Sequence, residues 1–102
     1  MPYFIYILKL NSPFDKQANW TDETNVTLQA HWNYLVDLHQ KGVVKVVGRT
    51  DVDIESDANT GIAIFVAENE AAARQIMDND PCVKNGVMQA TLSPFNFALG
   101  AF

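Results

Sequence analysis

From Tyr3 to Leu10 the chain carries apolar residues on both phases of a two-residue repeat. Tyr3, Ile5 and Ile7 occupy one phase, and Phe4, Tyr6, Leu8 and Leu10 the other. Aromatic and branched residues in such a run predict a strand. Asn11-Ser12-Pro13 ends it, and a loop follows to about Thr21. Thr21 is placed to N-cap a helix whose first turn holds Asp22 and Glu23, where negative charge suits the helix dipole. That helix runs to Lys41 and stops at Gly42, a residue type suited to the position after a helix end. A second strand covers Val43 to Thr50, an acidic polar loop Asp51 to Thr60, and a third strand Gly61 to Ala67. Glu68 or Asn69 opens a short helix through Ala71-Ala72-Ala73. It ends near Asn79, because the residue before Pro81 is biased away from helix. The last strand covers about Val87 to Leu99 and is interrupted near Pro94, which suits an edge or a bulge.

The order β-α-β-β-α-β is the ferredoxin-like split pattern, an α+β fold with one four-stranded antiparallel sheet and two helices on one face. In the second strand simple alternation sets Val44 and Val46 against Val43, Lys45 and Val47. In the third, Ile62, Ile64 and Val66 oppose Ala63, Phe65 and Ala67. Both faces of the sheet are therefore largely apolar, whereas a solvated face alternates with polar residues. Two helices cover only one face. The other calls for a partner, and a second copy is the simplest, giving a homodimer with sheets packed face to face. The alternative is cover by a loop or by the C-terminal tail.

Length and composition narrow the picture. The chain has 102 residues, which fits a single domain over residues 1–102. A chain this size buries roughly 60–70% of its unfolded surface, enough for a core without metal or disulfide staples. With 48% hydrophobic and 19% charged residues it is not a disordered chain. A net charge of -5 argues against a general nucleic-acid binder, which needs a basic face. Cys82 is the single cysteine, so there is no internal disulfide and no cysteine-rich zinc site. No apolar run is long enough to span a bilayer. The apolar start lacks a basic leader region and a small-residue cleavage site, so the expected location is cytoplasmic. On that ground the glycosylation patterns Asn19-Trp20-Thr21 and Asn25-Val26-Thr27 are accidental.

On the first helix, at about 100° per residue, His31 falls within the apolar stripe of Leu28, Trp32, Leu35 and Leu38. A buried imidazole needs a hydrogen-bond partner or a cavity, and it titrates near neutral pH, which makes His31 the acid–base candidate. A core histidine held by a backbone carbonyl is the plainer alternative. His39 sits in the last turn beside Gly42, where a cation suits the helix end, and is read as structural. Asp80, ahead of Pro81, either fixes a turn by bonding backbone amides or pairs with His31 and orients its ring. Asp51, Asp53, Glu55 and Asp57 lack the glycine and the terminal glutamate of a calcium loop, and read as a solvated hairpin loop. Asp51 stands apart because it follows Gly48-Arg49-Thr50 at a strand end. Cys82 reads as a packed apolar group rather than a nucleophile. Arg49 either binds an anionic substrate or pairs with the acidic loop. No phosphate loop or dinucleotide fingerprint is present.

Taken in order, several segments resemble the YCII-related (YciI-like) domain family. They are Tyr3-Phe4-Ile5-Tyr6, Ala30-His31-Trp32-Asn33-Tyr34-Leu35, Lys41-Gly42-Val43-Val44 through Gly48-Arg49-Thr50, Gly61-Ile62-Ala63-Ile64-Phe65, Asn79-Asp80-Pro81, Lys84-Asn85-Gly86-Val87 and Pro94-Phe95. The resemblance implies a dimeric α+β barrel with a His–Asp active site between helix and sheet. His31 matches the helix histidine. Asp80 matches the acid, with Asp51 as competitor. The implied activity is cofactor-independent and metal-free acid–base chemistry, an elimination, isomerisation or lactone rearrangement on a small polar or aromatic molecule. One relative type is a dehydrochlorinase of aromatic degradation. Trp32, Tyr34 and Tyr6 are expected to wall the pocket, with Arg49 and Asp51 on the substrate side. Two departures stand out: Cys82 where an aromatic is expected, and a long loop from Asn11 to Thr21. The alternatives are a non-catalytic small-ligand or dimerisation module, and a cofactor-independent monooxygenase or haem-handling protein on the same fold.

Overall fold

The computed structural model describes residues 1–100, so the last two positions of the expected domain lie outside the described residues. The phase containing Phe4, Tyr6 and Leu8 is buried in strand β1 (Tyr3–Leu10), while the phase of Ile5 and Ile7 is half-buried to exposed. β1 pairs antiparallel with β3 (Gly61–Val66) on one side and β4 (Met88–Phe95) on the other. β2 (Val44–Arg49) adds to β3, giving the order β2-β3-β1-β4. Pro94 sits on the edge strand β4, where a missing N–H is tolerated.

Helix α1 (Asp22–Gln40) begins with a capping box in which Thr21 and Thr24 each bond the other's backbone N–H, and ends before Gly42 at φ 78°. α2 (Glu70–Asp78) is capped by Asn69, whose side chain accepts from Ala72 N. A single extra turn, α3 (Pro81–Lys84), was not expected. Asp80 caps it and Pro81 fills its first position, a pairing that starts helices readily. A 3-10 turn at Gln17–Asn19 also shapes the loop before α1. The core packs Leu35 of α1 and Ala73 and Met77 of α2 onto Phe4, Tyr6, Leu8, Val44, Ala63 and Phe65. The helices thus lie on one face of the sheet. No helix among the described residues is long and apolar enough to cross a membrane.

Simple alternation fails in β2. Val44 lies opposite Phe65, Val46 opposite Ile64 and Val47 opposite Ala63, with the register shifting between Val44 and Val46. Lys45 is the additional residue of a β-bulge. Val44 and Val47 therefore share the helix-side face, and Val46 takes the other, which corrects the expected pairing of Val44 with Val46. Beyond the bulge, Arg49 pairs with Gly61, which also pairs with Leu8 of the buried phase. The outer face is apolar on β1 and β3, but β4 presents Thr91 and Ser93 opposite Ile7 and Ile5. β4 also ends earlier than expected, and Phe97 beyond it packs edge-on against Tyr3 and Phe95.

Candidate active site

His31 and Asp80 are 49 positions apart in sequence, and the fold joins them: His31 Nδ1 lies 2.6 Å from Asp80 Oδ1. The Asp80 side chain has no solvent exposure, and that of His31 has 15%. Three donors converge on the carboxylate. Cys82 N donates to Oδ1 at 3.0 Å, the Tyr6 hydroxyl donates to Oδ2 at 2.9 Å, and His31 Nδ1–H supplies the third. A carboxylate acting only as acceptor requires the proton on Nδ1, so a neutral His31 carries its lone pair on Nε2. Both readings of Asp80 hold together in this geometry, since one oxygen caps α3 and also meets the imidazole.

The carboxylate leaves its mark on its neighbours. Burial, reinforced by the Asp80 charge, pushes the Cys82 thiol and the Tyr34 phenol each up to about 12. The Tyr6 phenol is raised further for the same reasons. One ring nitrogen of His31, one carboxylate oxygen of Asp80 and Cys82 Sγ lie within 4.8 Å of one another. Metal ligation there would need the thiolate, which burial opposes, and would part a histidine and a carboxylate that share a proton at 2.6 Å. The donor set is arranged for hydrogen bonding.

His31 borders a cavity of about 420 Å³ between α1 and the sheet. Its walls are mostly apolar: Leu28, Trp32 and Leu35 from α1, Leu8 and Leu10 from β1, Val47 from β2 and Met88 from β4. Trp20 from the loop before α1 and Ile54 from the loop after β2 complete the wall. Polar groups besides His31 are Arg49 and Asn59. Arg49 Nη1 makes two long bonds of 3.4 Å, to Val52 O and Asn59 Oδ1. The chain has 12 Asp and Glu residues, yet among the described residues none lines this cavity.

Of the five residues expected to hold substrate, Trp32 and Arg49 line the cavity, and Tyr6, Tyr34 and Asp51 do not. Tyr6 lies behind Asp80, fully buried. Tyr34 faces away, its hydroxyl donating to Ile76 O at 2.7 Å and tying α1 to α2. Asp51 is exposed in the loop after β2 and makes no bond to His31. His39 donates from Nδ1 to Val44 O at 2.9 Å, tying the end of α1 to β2. Cys82 is fully buried. Sequence reasoning missed Trp20, Ile54 and Asn59. The available signal was an apolar residue in each of two loops, Trp20 at the end of the first and Ile54 within the acidic one. Trp20 is held by its indole N–H, which donates to Phe14 O at 2.7 Å.

A four-stranded antiparallel sheet with helices on one face and a histidine-bearing cavity beneath α1 defines a ferredoxin-like α+β domain. The chain belongs to the YCII-related domain family, whose model matches residues 1–96. Among solved structures it is similar to 5-chloro-2-hydroxyhydroquinone dehydrochlorinase (TftG) from Burkholderia phenoliruptrix AC1100, in complex with 2,5-dihydroxybenzoquinone. The identity is 22% and the TM-score 0.66, covering 92% of this chain and 93% of that one. A hypothetical Arabidopsis thaliana protein solved in solution is 15% identical with a TM-score of 0.48, covering 99% of this chain and 92% of that one. No curated protein matches the sequence.

Proposed function

We propose that this protein is a small cofactor-independent enzyme in which His31, oriented by Asp80, moves a proton on a hydroxylated or carbonyl-bearing ring. The observation that carries the reading is the 2.6 Å contact between His31 Nδ1 and Asp80 Oδ1 at the wall of the cavity. It commits Nδ1 and leaves Nε2 as the base. Nε2 takes a proton from an O–H, or from a C–H beside a carbonyl. The electron pair left behind either expels a leaving group, which is an elimination, or is reprotonated elsewhere, which is an isomerisation. The imidazolium formed is stabilised by the buried carboxylate and returns its proton to solvent or to product. Two indoles and aliphatic walls favour a planar aromatic body. Arg49, with no carboxylate on the wall among the described residues, favours one negative charge on it. The fold-level relative that dehydrochlorinates a chlorinated hydroquinone supports this class. The homodimer belongs to the same reading, with Ile5 and Ile7 at the centre of the outer face as its seam.

A second reading, a non-catalytic ligand-binding module, draws on the Asp80 bond to Cys82 N, which serves α3 whether or not any chemistry occurs. Both are tested with halogenated quinols, phenols, lactones and aromatic acids, followed by two-dimensional NMR and by halide release or ultraviolet change. The expected result is saturable shifts around His31, Trp32 and Arg49, with turnover abolished in His31→Ala. Undiminished turnover in that variant overturns the acid–base reading.

A further inference from the structure

Tyr6 was expected in the pocket wall, and the structure sets it on the far side of Asp80 from His31's cavity. Its place follows from the sheet register: it pairs with the small Ala63 and with Leu92, and its ring meets Phe65 edge-on at 5.6 Å. The hydroxyl then reaches Asp80 Oδ2 at 2.9 Å, the one partner that oxygen has among the described residues. The other oxygen is held by Cys82 N at 3.0 Å. Two bonds on different oxygens, from different elements, fix both torsions of the carboxylate and so the direction in which Oδ1 meets the imidazole.

We propose that Tyr6 is a positioning residue of the His31–Asp80 pair: its hydroxyl aims the carboxylate and sets how strongly Asp80 holds the imidazole proton. A donor on Oδ2 draws charge away from Oδ1. Without it the carboxylate attracts the imidazolium more strongly, and His31 keeps its proton to higher pH. The other groups close enough to feel the pair are Cys82 at the start of α3 and Tyr34 on α1, and Arg49 shares the cavity wall with His31. Cys82 and Tyr34 remain neutral and Arg49 remains charged through the range in which a histidine titrates. Tyr6 itself stays protonated, being buried beside a carboxylate, so it acts only as a donor.

The assignment rests on the acid–base reading of the pair, but its test needs no substrate. The His31 ring is titrated by NMR in the native protein, in Tyr6→Phe, and with a ring-fluorinated tyrosine at position 6, whose hydroxyl is the stronger donor. Tyr6→Phe is expected to raise the His31 midpoint by about one pH unit. The fluorinated residue is expected to lower it. A residue that merely fills the core would not give opposite signs. If Tyr6→Phe does not fold, the near-isosteric fluorinated protein carries the test alone. A His31 midpoint unmoved within about 0.2 unit, or moved in the reverse directions, overturns the proposal. Normal turnover by His31→Ala would overturn the acid–base reading instead, leaving the measured coupling intact.

Discussion

Asp80 is a fully buried charge with three donors, and replacing it separates its contributions. Asp80→Asn keeps the shape and the cap. Its amide oxygen can still accept from Cys82 N and His31 Nδ1, and its NH2 meets the Tyr6 hydroxyl, which can turn and accept. What is lost is the charge assistance. A hydrogen bond to a charged group contributes roughly 1.5–3 kcal/mol against roughly 0.5–1.5 for a neutral one, and burying a neutral group refunds part of the difference. The expected cost is about 1–3 kcal/mol. Asp80→Ala instead leaves Tyr6 and Cys82 N with no partner in a region closed to solvent. Each orphaned donor costs roughly 1–3 kcal/mol, so the total for the two is about 2–6 kcal/mol, a large share of the roughly 5–15 typical of a domain. Urea unfolding followed by circular dichroism and tryptophan fluorescence, with unchanged m-values, measures both. The double variant with Tyr6→Phe should lose less than the sum of the single losses, because both remove the same bond. If Asp80→Ala falls within about 0.5 kcal/mol of native, or the pair is additive, Asp80 does not anchor these three donors.

Two further outcomes are expected. The Cys82 thiol rises from 9.0 to about 12 on folding, so between these values the unfolded chain releases a proton that the fold retains, and stability falls as pH rises. The contribution is complete below pH 9 and lost through about 12, near 1.4 kcal/mol per pH unit. Cys82→Ala should therefore flatten the alkaline limb of urea midpoints measured from pH 8 to 11, and an equally steep limb would contradict the assignment. On the outer sheet face, Ile7→Lys adds a charge at a side chain 38% exposed in the single chain. Sedimentation should show a native dimer that the substitution dissociates with its circular dichroism unchanged; a native monomer at tens of micromolar would remove the face-to-face assembly.

Much of the fold was legible because its signals are local. The Thr21 cap, the Gly42 stop and the two-phase pattern of β1 each follow from one residue type and its backbone preference, whereas β4 runs unbroken through Pro94, where an interruption was expected. The position of His31 on the apolar stripe was legible for the same reason. Where the reading failed, the cause was distance or register. Tyr6 and Tyr34 carry aromatic rings suited to a pocket, but β1 directs one behind Asp80 and α1 directs the other at the Ile76 carbonyl. Alternation in β2 was misassigned because a bulge depends on the partner strand as much as on Lys45. The acidic loop after β2 read as solvated from its charge, yet it sends Ile54 onto the cavity, and the loop before α1, read without a role, sends Trp20.

The bulge at Lys45 makes the electrostatic character of the cavity a matter of counting rather than of composition. A regular strand holding Val44 in the core would turn Arg49 to the outer face, away from His31. One inserted residue reverses that parity and gives an acidic protein a pocket whose wall, among the described residues, carries a guanidinium and no carboxylate. Within such a sheet, a gain or loss of one residue in an edge strand exchanges which side chains face the ligand, and so its preference for charged or neutral molecules, without a single substitution. Length variation in β2 is thus a route to new specificity in this fold, open to evolution on a different element from the one that carries the histidine.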